Sequence, residues 1–314
     1  MLLNYLKLIR FQNLMVIVLT QYLVRYFLLG PILESIGFSL QLSDFQFSIL
    51  VLTTILIAGA GYAVNDYYDV KTDRINKPER MVLVVKFRRR RAILIQGIMN
   101  VMAMGGGIYL SLVMKTPWLI LVYLFATAFL WYYSAVLKRT FLLGNLTVAG
   151  LTSLVVLLVW LHEYAALKTR FPGDFIAYLD ISEFILLFAG FSFLISLIRE
   201  IIKDMEDLPG DSQVGCRTMA VVLGTKPCKK IVSALSVLMI GLIVWLQINW
   251  VLPLHLNYLL VYSTILIQMP MVIIIILTAK ATTPKQFHFA SLISKLVMLT
   301  GVLSMVLLKY TFFV

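Results

Sequence analysis

Charge is scarce in this 314-residue chain: 13% of residues are Asp, Glu, Lys or Arg, against 61% hydrophobic, and the mean hydropathy is +0.94. A soluble domain cannot hide so much apolar surface, so the bilayer must serve as its solvent. Cysteine is nearly absent too, represented only by Cys216 and Cys228. Both fall in one loop without a second Cys/His pair at metal-ligand spacing, which excludes a zinc site, and a cytoplasmic loop would keep them reduced. No composition break, tandem period or low-complexity tract interrupts the chain, so one domain spanning 1–314 is expected. Acidic residues number 15 against 27 basic ones. In a soluble protein that imbalance would suggest nucleic acid, but its placement along this chain points to the bilayer, and no nucleic-acid partner is expected.

What the chain has in abundance is apolar runs. A hydrocarbon core about 30 Å thick takes a helix of roughly 20 residues. Such runs lie near 11–30, 46–65, 92–113, 117–136, 141–161, 182–202, 231–250, 255–278 and 291–313. They predict an all-α membrane protein of about nine transmembrane helices. Gly105, Gly106, Gly107 and Pro270 fall inside runs, which membrane helices tolerate where neighbours satisfy the freed backbone. The first run follows Lys7 and Arg10 like a signal peptide, but no small-residue cleavage site comes after it, so it is expected as a retained helix. With the N-terminus cytoplasmic, that side receives Lys7, Arg10, residues 71–91, Lys138, Arg139, residues 199–230, Lys280 and Lys285. Little more than Arg25, Lys115, Lys168, Arg170 and Lys309 is left for the other side. The positive-inside rule then puts the C-terminus outside, as in a multi-pass protein of the inner membrane. Lys86 and Arg88 to Arg91 would meet anionic head groups. The polar stretch 162–183, with Pro172 and Gly173, reads as an outer connecting loop.

Two acidic clusters follow the second and sixth runs on the predicted cytoplasmic side: NDYYDVKTD at 65–73 and REIIKDMEDLPGD at 199–211. On a helix, Asp66, Asp69 and Asp73 form one stripe with Asn65 beside it. Like charges so placed repel unless a cation neutralises them, and oxygen-only ligands point to Mg2+ or a similar hard ion. Mg2+ commonly bridges one or two carboxylates to substrate phosphates, which implies a phosphorylated ligand. Glu200, Asp204, Asp207 and Asp211 repeat the helical spacing, and Pro209 with Gly210 is expected to end that helix before Asp211. Arg199, Lys203, Lys138 and Arg139 bring the cations of a diphosphate clamp. A polar site at the mouth of an apolar bundle suits an amphiphile with a diphosphate head and a hydrocarbon tail. Neutralised diphosphate is a good leaving group, so an allylic carbon could ionise and pass to an acceptor with water excluded.

The string NDYYDVKTDRINKPER closely resembles the NDxxDxxxD signature of the UbiA superfamily of membrane prenyltransferases, and KDMEDLPGD resembles its second acidic motif. With nine spans in matching order, the resemblance covers essentially the whole chain. It implies nine helices around a central cavity beneath a cytoplasmic cap, with Mg2+, in two ions, as cofactor. By motif position, Asn65, Asp66, Asp69 and Asp73 would hold one ion and Asp204, Asp207 and Asp211 the second, with Asp66, Asp69 and Asp207 central to catalysis. Lys203, Arg74, Lys77 and Lys138 would contact phosphate, and Asn13 matches a polar position near family active sites. Tyr132, Tyr133 and the Phe residues could line the tail or face a carbocation, or simply pack. The extended string REIIKDMEDLPGDSQVGCRTMAVVLG looks most like the branch that transfers geranylgeranyl to geranylgeranylglyceryl phosphate. Related strings occur in homogentisate prenyltransferases, which keeps an aromatic quinone or tocopherol precursor as the alternative acceptor. Met81 and Gln213 depart from the family pattern, which bears on acceptor and donor length. A transporter or lipid-binding scaffold is the competing class, but it would place its ionisable residues near the midplane. A head-group transferase would share the metal but not the long first motif.

Overall fold

The computed structural model describes residues 2–76, 89–171 and 175–312, and every regular element in them is helical. A short helix, Leu2–Leu8, precedes nine long ones: α1 Phe11–Ser35, α2 Asp44–Asn76, α3 Arg89–Val113, α4 Leu119–Ala135, α5 Leu143–Arg170, α6 Phe175–Val214, α7 Thr225–Val251, α8 Asn257–Lys280 and α9 Pro284–Phe312. Eight are long and apolar enough to cross a membrane, while α4 is shorter at 17 residues. Lys77, Met81, Lys86, Arg88, Pro172 and Gly173 lie outside the described residues.

Each helix packs on the next and α9 returns to α1, so the bundle closes. Within it α2 touches α3, α4 and α6, and α6 touches α5, α7 and α9. The helices carrying the two acidic motifs are therefore in direct contact. Both outrun the apolar spans read from sequence: α2 has 33 residues and α6 has 40. In lipid a helix satisfies its own backbone, so it need not stop where hydropathy falls if polar partners take over.

Pro270 shows how a neighbour repairs a missing donor. It has no N–H for the carbonyl of Leu266 four residues earlier, and the helix widens into a π turn at Thr264–Gln268. Thr300 of α9 donates its hydroxyl to that Leu266 carbonyl at 2.8 Å.

The segment 162–183 is not the loop its polarity suggested. Helix α5 runs to Arg170, and His162 and Glu163 are fully buried. Arg25, assigned to the outer surface on sequence, is buried as well, and its Nη1 donates to Glu163 Oε1 at 2.6 Å. Its Nη2 donates to the Leu42 carbonyl, while Glu163 Oε2 accepts from the Gln41 N–H at 2.8 Å. Pairing and backbone bonds remove the need for water that polarity alone implied. His162 donates Nδ1–H to the Leu158 carbonyl at 2.8 Å, so its Nε2 accepts the Tyr123 hydroxyl at 2.6 Å.

Tyr123 in turn explains Gly107. A Cβ on Gly107 would lie 2.6 Å from the Tyr123 ring, which is 1% exposed and held by His162. Gly107→Ala is expected to cost about 1–3 kcal/mol through overpacking, measurable as a lower unfolding temperature in detergent. An unchanged temperature would mean that the ring can move.

Candidate active site

The last turns of α2 and α6 bring their acids to the same end of the bundle, joined by the turn between α4 and α5. That turn is a short 3-10 helix, Leu137–Arg139, and it delivers Lys138. Lys138 Nζ donates to Asp69 Oδ2, which also accepts Asn65 Nδ2 at 2.7 Å. Partial burial disfavours the ammonium, but Asp69 beside it outweighs that and holds its pKa above the ordinary lysine value. Asp66, Glu200 and Asp211 are close enough to feel the same charge, so Lys138 stands between the two motifs.

Asp66 accepts Arg10 Nη2 at 2.8 Å, and the Arg10 guanidinium lies 5.0 Å over the Tyr62 ring. Burial opposes the Arg10 charge, yet Asp66 raises its pKa. The residue takes a left-handed backbone, φ 51°, at the turn into α1. On α6, Asp204 accepts Asn145 Nδ2 of α5 at 2.9 Å. Glu200 is bracketed by Arg199 at 2.6 Å and Lys203 at 3.7 Å. Tyr133 lies within electrostatic reach of Lys138, Glu200, Asp69 and Asp204, whereas Tyr132 is exposed.

The second motif corrects a sequence expectation. Pro209 and Gly210 do not end α6, which continues to Val214 with Pro209 inside it. Asp211 is buried on this helix instead of reaching in from a loop. Asn76, the last residue of α2, makes this possible: its Nδ2 donates to the Asp207 carbonyl at 2.9 Å and its Oδ1 accepts the Gly210 N–H at 2.8 Å. Beyond Val214 the chain folds back over the site. The Cys216 N–H donates to the Asp211 carbonyl at 2.9 Å and the Arg217 N–H to the Arg139 carbonyl at 2.8 Å. Cys216 and Cys228 are free and buried.

Of the residues singled out on sequence, Asn65, Asp66, Asp69, Asp204, Asp207, Asp211, Lys138 and Lys203 come to this end of the bundle. Asp73 lies one turn beyond Asp69 on α2. Arg74 is exposed on the last turn of α2, and Asn13 is half-buried one turn after Arg10, its N–H on the Arg10 carbonyl at 2.8 Å. Arg10, Asn76 and Asn145 escaped the sequence reading. Asn145 did leave a signal, since a polar residue inside an apolar run marks a functional site by default.

The residues fit a hard divalent cation. Asn65 Oδ1 is buried without a hydrogen-bond partner, beside the Asp69 carboxylate and one residue from Asp66, so the donors at hand are all oxygen. Among the described residues no three His, Cys, Asp or Glu side chains enclose an ion by themselves; Asp66, Asp69 and Asp204 are matched to a cation or an amide. Such an open arrangement suits Mg2+, which is normally held by one or two carboxylates and the phosphates of a substrate.

Comparison with known proteins agrees with this fold. The model of the UbiA prenyltransferase family matches residues 28–308. The digeranylgeranylglyceryl phosphate synthase of Methanosphaera stadtmanae is 32% identical over 188 residues, 60% of this chain and 61% of that protein. The chain thus spans about three fifths of the length of this curated relative. A solved digeranylgeranylglyceryl phosphate synthase structure superposes with a TM-score of 0.60 at 20% identity, covering 97% of this chain and 98% of the other. A UbiA homolog from Archaeoglobus fulgidus, solved with DMAPP and Mg2+, gives 0.51 at 15% identity over 96% and 99%.

Proposed function

Since the chain belongs to the UbiA prenyltransferase family, we propose that it moves a prenyl group from an isoprenyl diphosphate to geranylgeranylglyceryl phosphate, forming an ether lipid. The observation that carries this reading is the direct packing of α2 on α6 with both acidic motifs at one end and Lys138 between them. The Mg2+ and DMAPP in the A. fulgidus homolog and the name of the M. stadtmanae relative support it.

In this reading Asn65, Asp66, Asp69 and Asp73 would hold one Mg2+, and Asp204, Asp207 and Asp211 would hold a second. Bound there, the ions supply Lewis acidity that draws charge from the diphosphate oxygens. Lys138, Lys203 and Arg10 are long cationic side chains already in place at the carboxylates, and they turn to the phosphate oxygens when donor and metal enter. Arg74, exposed on the last turn of α2, extends the same cationic rim, and the sequence motif makes Lys77 a further candidate for phosphate contact. Asn145 keeps Asp204 oriented. The allylic carbon–oxygen bond breaks and its electron pair leaves with the diphosphate. The acceptor hydroxyl attacks the freed carbon and gives up its proton to the released diphosphate, leaving an ether. Tyr133, within electrostatic reach of Asp69, Glu200 and Asp204, is the ring that would meet positive charge developing on the allyl group. The 214–218 segment, bonded back to the Asp211 and Arg139 carbonyls, is the part of the chain that would limit water at that carbon. The distribution of basic residues supports a cytoplasmic placement of this end of the bundle and of the N-terminus.

Purified protein in detergent with Mg2+ and radiolabelled geranylgeranyl diphosphate tests the proposal, with geranylgeranylglyceryl phosphate and aromatic acids offered in parallel. An EDTA-sensitive ether lipid is expected. An aromatic product would overturn the acceptor and keep the chemistry. No transfer to any acceptor, with donors of several lengths and folded protein, would overturn the enzyme reading in favour of a transporter or scaffold.

A further inference from the structure

The side chain of Asn76 joins the two motif helices at one point, and it does so through the backbone of α6 alone. Its amide spans the Asp207 carbonyl and the Gly210 N–H, at 2.9 and 2.8 Å. Only a carboxamide offers a donor and an acceptor side by side in this way. Three features of the sequence make room for it. Pro209 lacks an N–H, so the Met205 carbonyl loses its helical donor and the ladder is loosened there. Gly210 has no Cβ, and one built there would lie 2.6 Å from Asn76 Nδ2 and 2.7 Å from its Cγ and Oδ1. Helical rotation supplies the third. At 100° per residue, Asn65, Asp69 and Asn76 fall within about 40° of one another around α2. The clamp therefore sits on the face that carries the Asp69 carboxylate, about 10 Å further along the axis. On α6 it grips the turn between Asp207 and Asp211.

We infer that Asn76 is a positioning residue that fixes the register between the two acidic motifs, and that Gly210 is glycine so that this amide can enter. The inference rests on the metal-diphosphate reading above. Asn76 touches neither metal nor substrate. It sets where Asp207 and Asp211 stand relative to Asp69, and so whether both motifs can grip one diphosphate at once.

A double-mutant cycle with Asn76→Ala and Gly210→Ala tests this, read by Mn2+ binding in the presence of inorganic diphosphate (loss of the free-Mn2+ EPR signal) and by the Mg2+ dependence of turnover. Each single variant should weaken Mn2+ binding by about tenfold or more, the range seen when a residue that orients metal ligands is removed. The double variant should bind as each single one does, because the three atoms nearest a Cβ at 210 all belong to the Asn76 amide and are gone. Wild-type Mn2+ affinity in Asn76→Ala, or losses that multiply in the double variant, would overturn the inference. So would an Asn76→Ala protein that no longer elutes as one folded species, since the amide would then be holding the bundle together; a modest fall in unfolding temperature is expected from the two lost hydrogen bonds. If wild type binds Mn2+ and diphosphate but transfers no prenyl group, the proposed activity fails while the binding cycle still judges the clamp.

Discussion

Replacing Asp69 with alanine is expected to lower kcat/KM for prenyl transfer about a thousandfold or more, the size of effect seen when a charge-stabilising group is taken from a transition state. Asp69 is the carboxylate on which the site converges: Asn65 and Lys138 both bond its Oδ2, and the unpartnered Asn65 Oδ1 lies beside it. Folding should survive. Lys138 is 36% exposed at its side chain and can turn to water once its partner is gone. The Asn65 amide loses one hydrogen bond, a cost of about 1–3 kcal/mol. Asp69→Asn separates charge from shape, because it keeps the volume and a hydrogen-bonding group but no negative charge. It should be as inactive as the alanine variant. The measurement is turnover at saturating Mg2+ beside an unfolding temperature in the same detergent. Activity within tenfold of wild type in either variant, with the fold intact, would remove Asp69 from the chemistry.

At the other end of the bundle, Glu163→Ala should destabilise the protein by about 3–5 kcal/mol, the cost of leaving one member of a buried ion pair without its partner. The side chains of Arg25 and Glu163 are 2% and 0% exposed. The Arg25 guanidinium also lies 4.6 Å over the Phe47 ring, so it is enclosed by apolar surface as well as paired. Arg25 Nε already lacks a hydrogen-bond partner, and the carboxylate that would remain, Asp44 at 3.6 Å from Nη2, is exposed to water and so a weaker partner. Glu163 also accepts the N–H groups of Gln41 and Leu42, so its loss frees the segment joining α1 to α2. Replacing both residues by leucine should restore only the part due to the stranded charge, because the Gln41 and Leu42 N–H groups and the Leu42 carbonyl lose their partners as well. Denaturation in mild detergent reads the difference. A cost below about 1 kcal/mol for Glu163→Ala would show that water reaches the pair, as at an exposed salt bridge.

Hydropathy located the spans because a membrane helix must be apolar over most of its length, and the three- and four-residue spacing of Asp66, Asp69 and Asp73 gave the first stripe. Partnership between distant residues was not legible. Arg10 and Asp66 are 56 positions apart, Asn145 and Asp204 are 59 apart, and no local period connects them. The buried pair was misread for the same reason: Arg25 and Glu163 each look solvent-seeking until the other is beside it. Pro209 was read as a stop because proline breaks a helix in isolation. What carries α6 onward is an amide from α2, 131 residues earlier than the carbonyl it bonds. The extent of the spans was least legible of all, since a helix ends where its last polar partner lets go.

The shortness of α4 sets a depth. Seventeen residues rise about 25 Å, less than the hydrocarbon thickness of about 30 Å. Trp118 flanks one end of α4 and Tyr132 lies in its final turn, both exposed as interfacial aromatic anchors would be. A stubby span between such anchors favours a locally thinner bilayer on that side. Lys138 follows directly after α4 and so is set below the plane that neighbouring lipids give their head groups. A charged head reaching Lys138 descends into this dimple while its tail is already level with the acyl chains, and the thin patch spares an amphiphile part of the climb out of the bilayer.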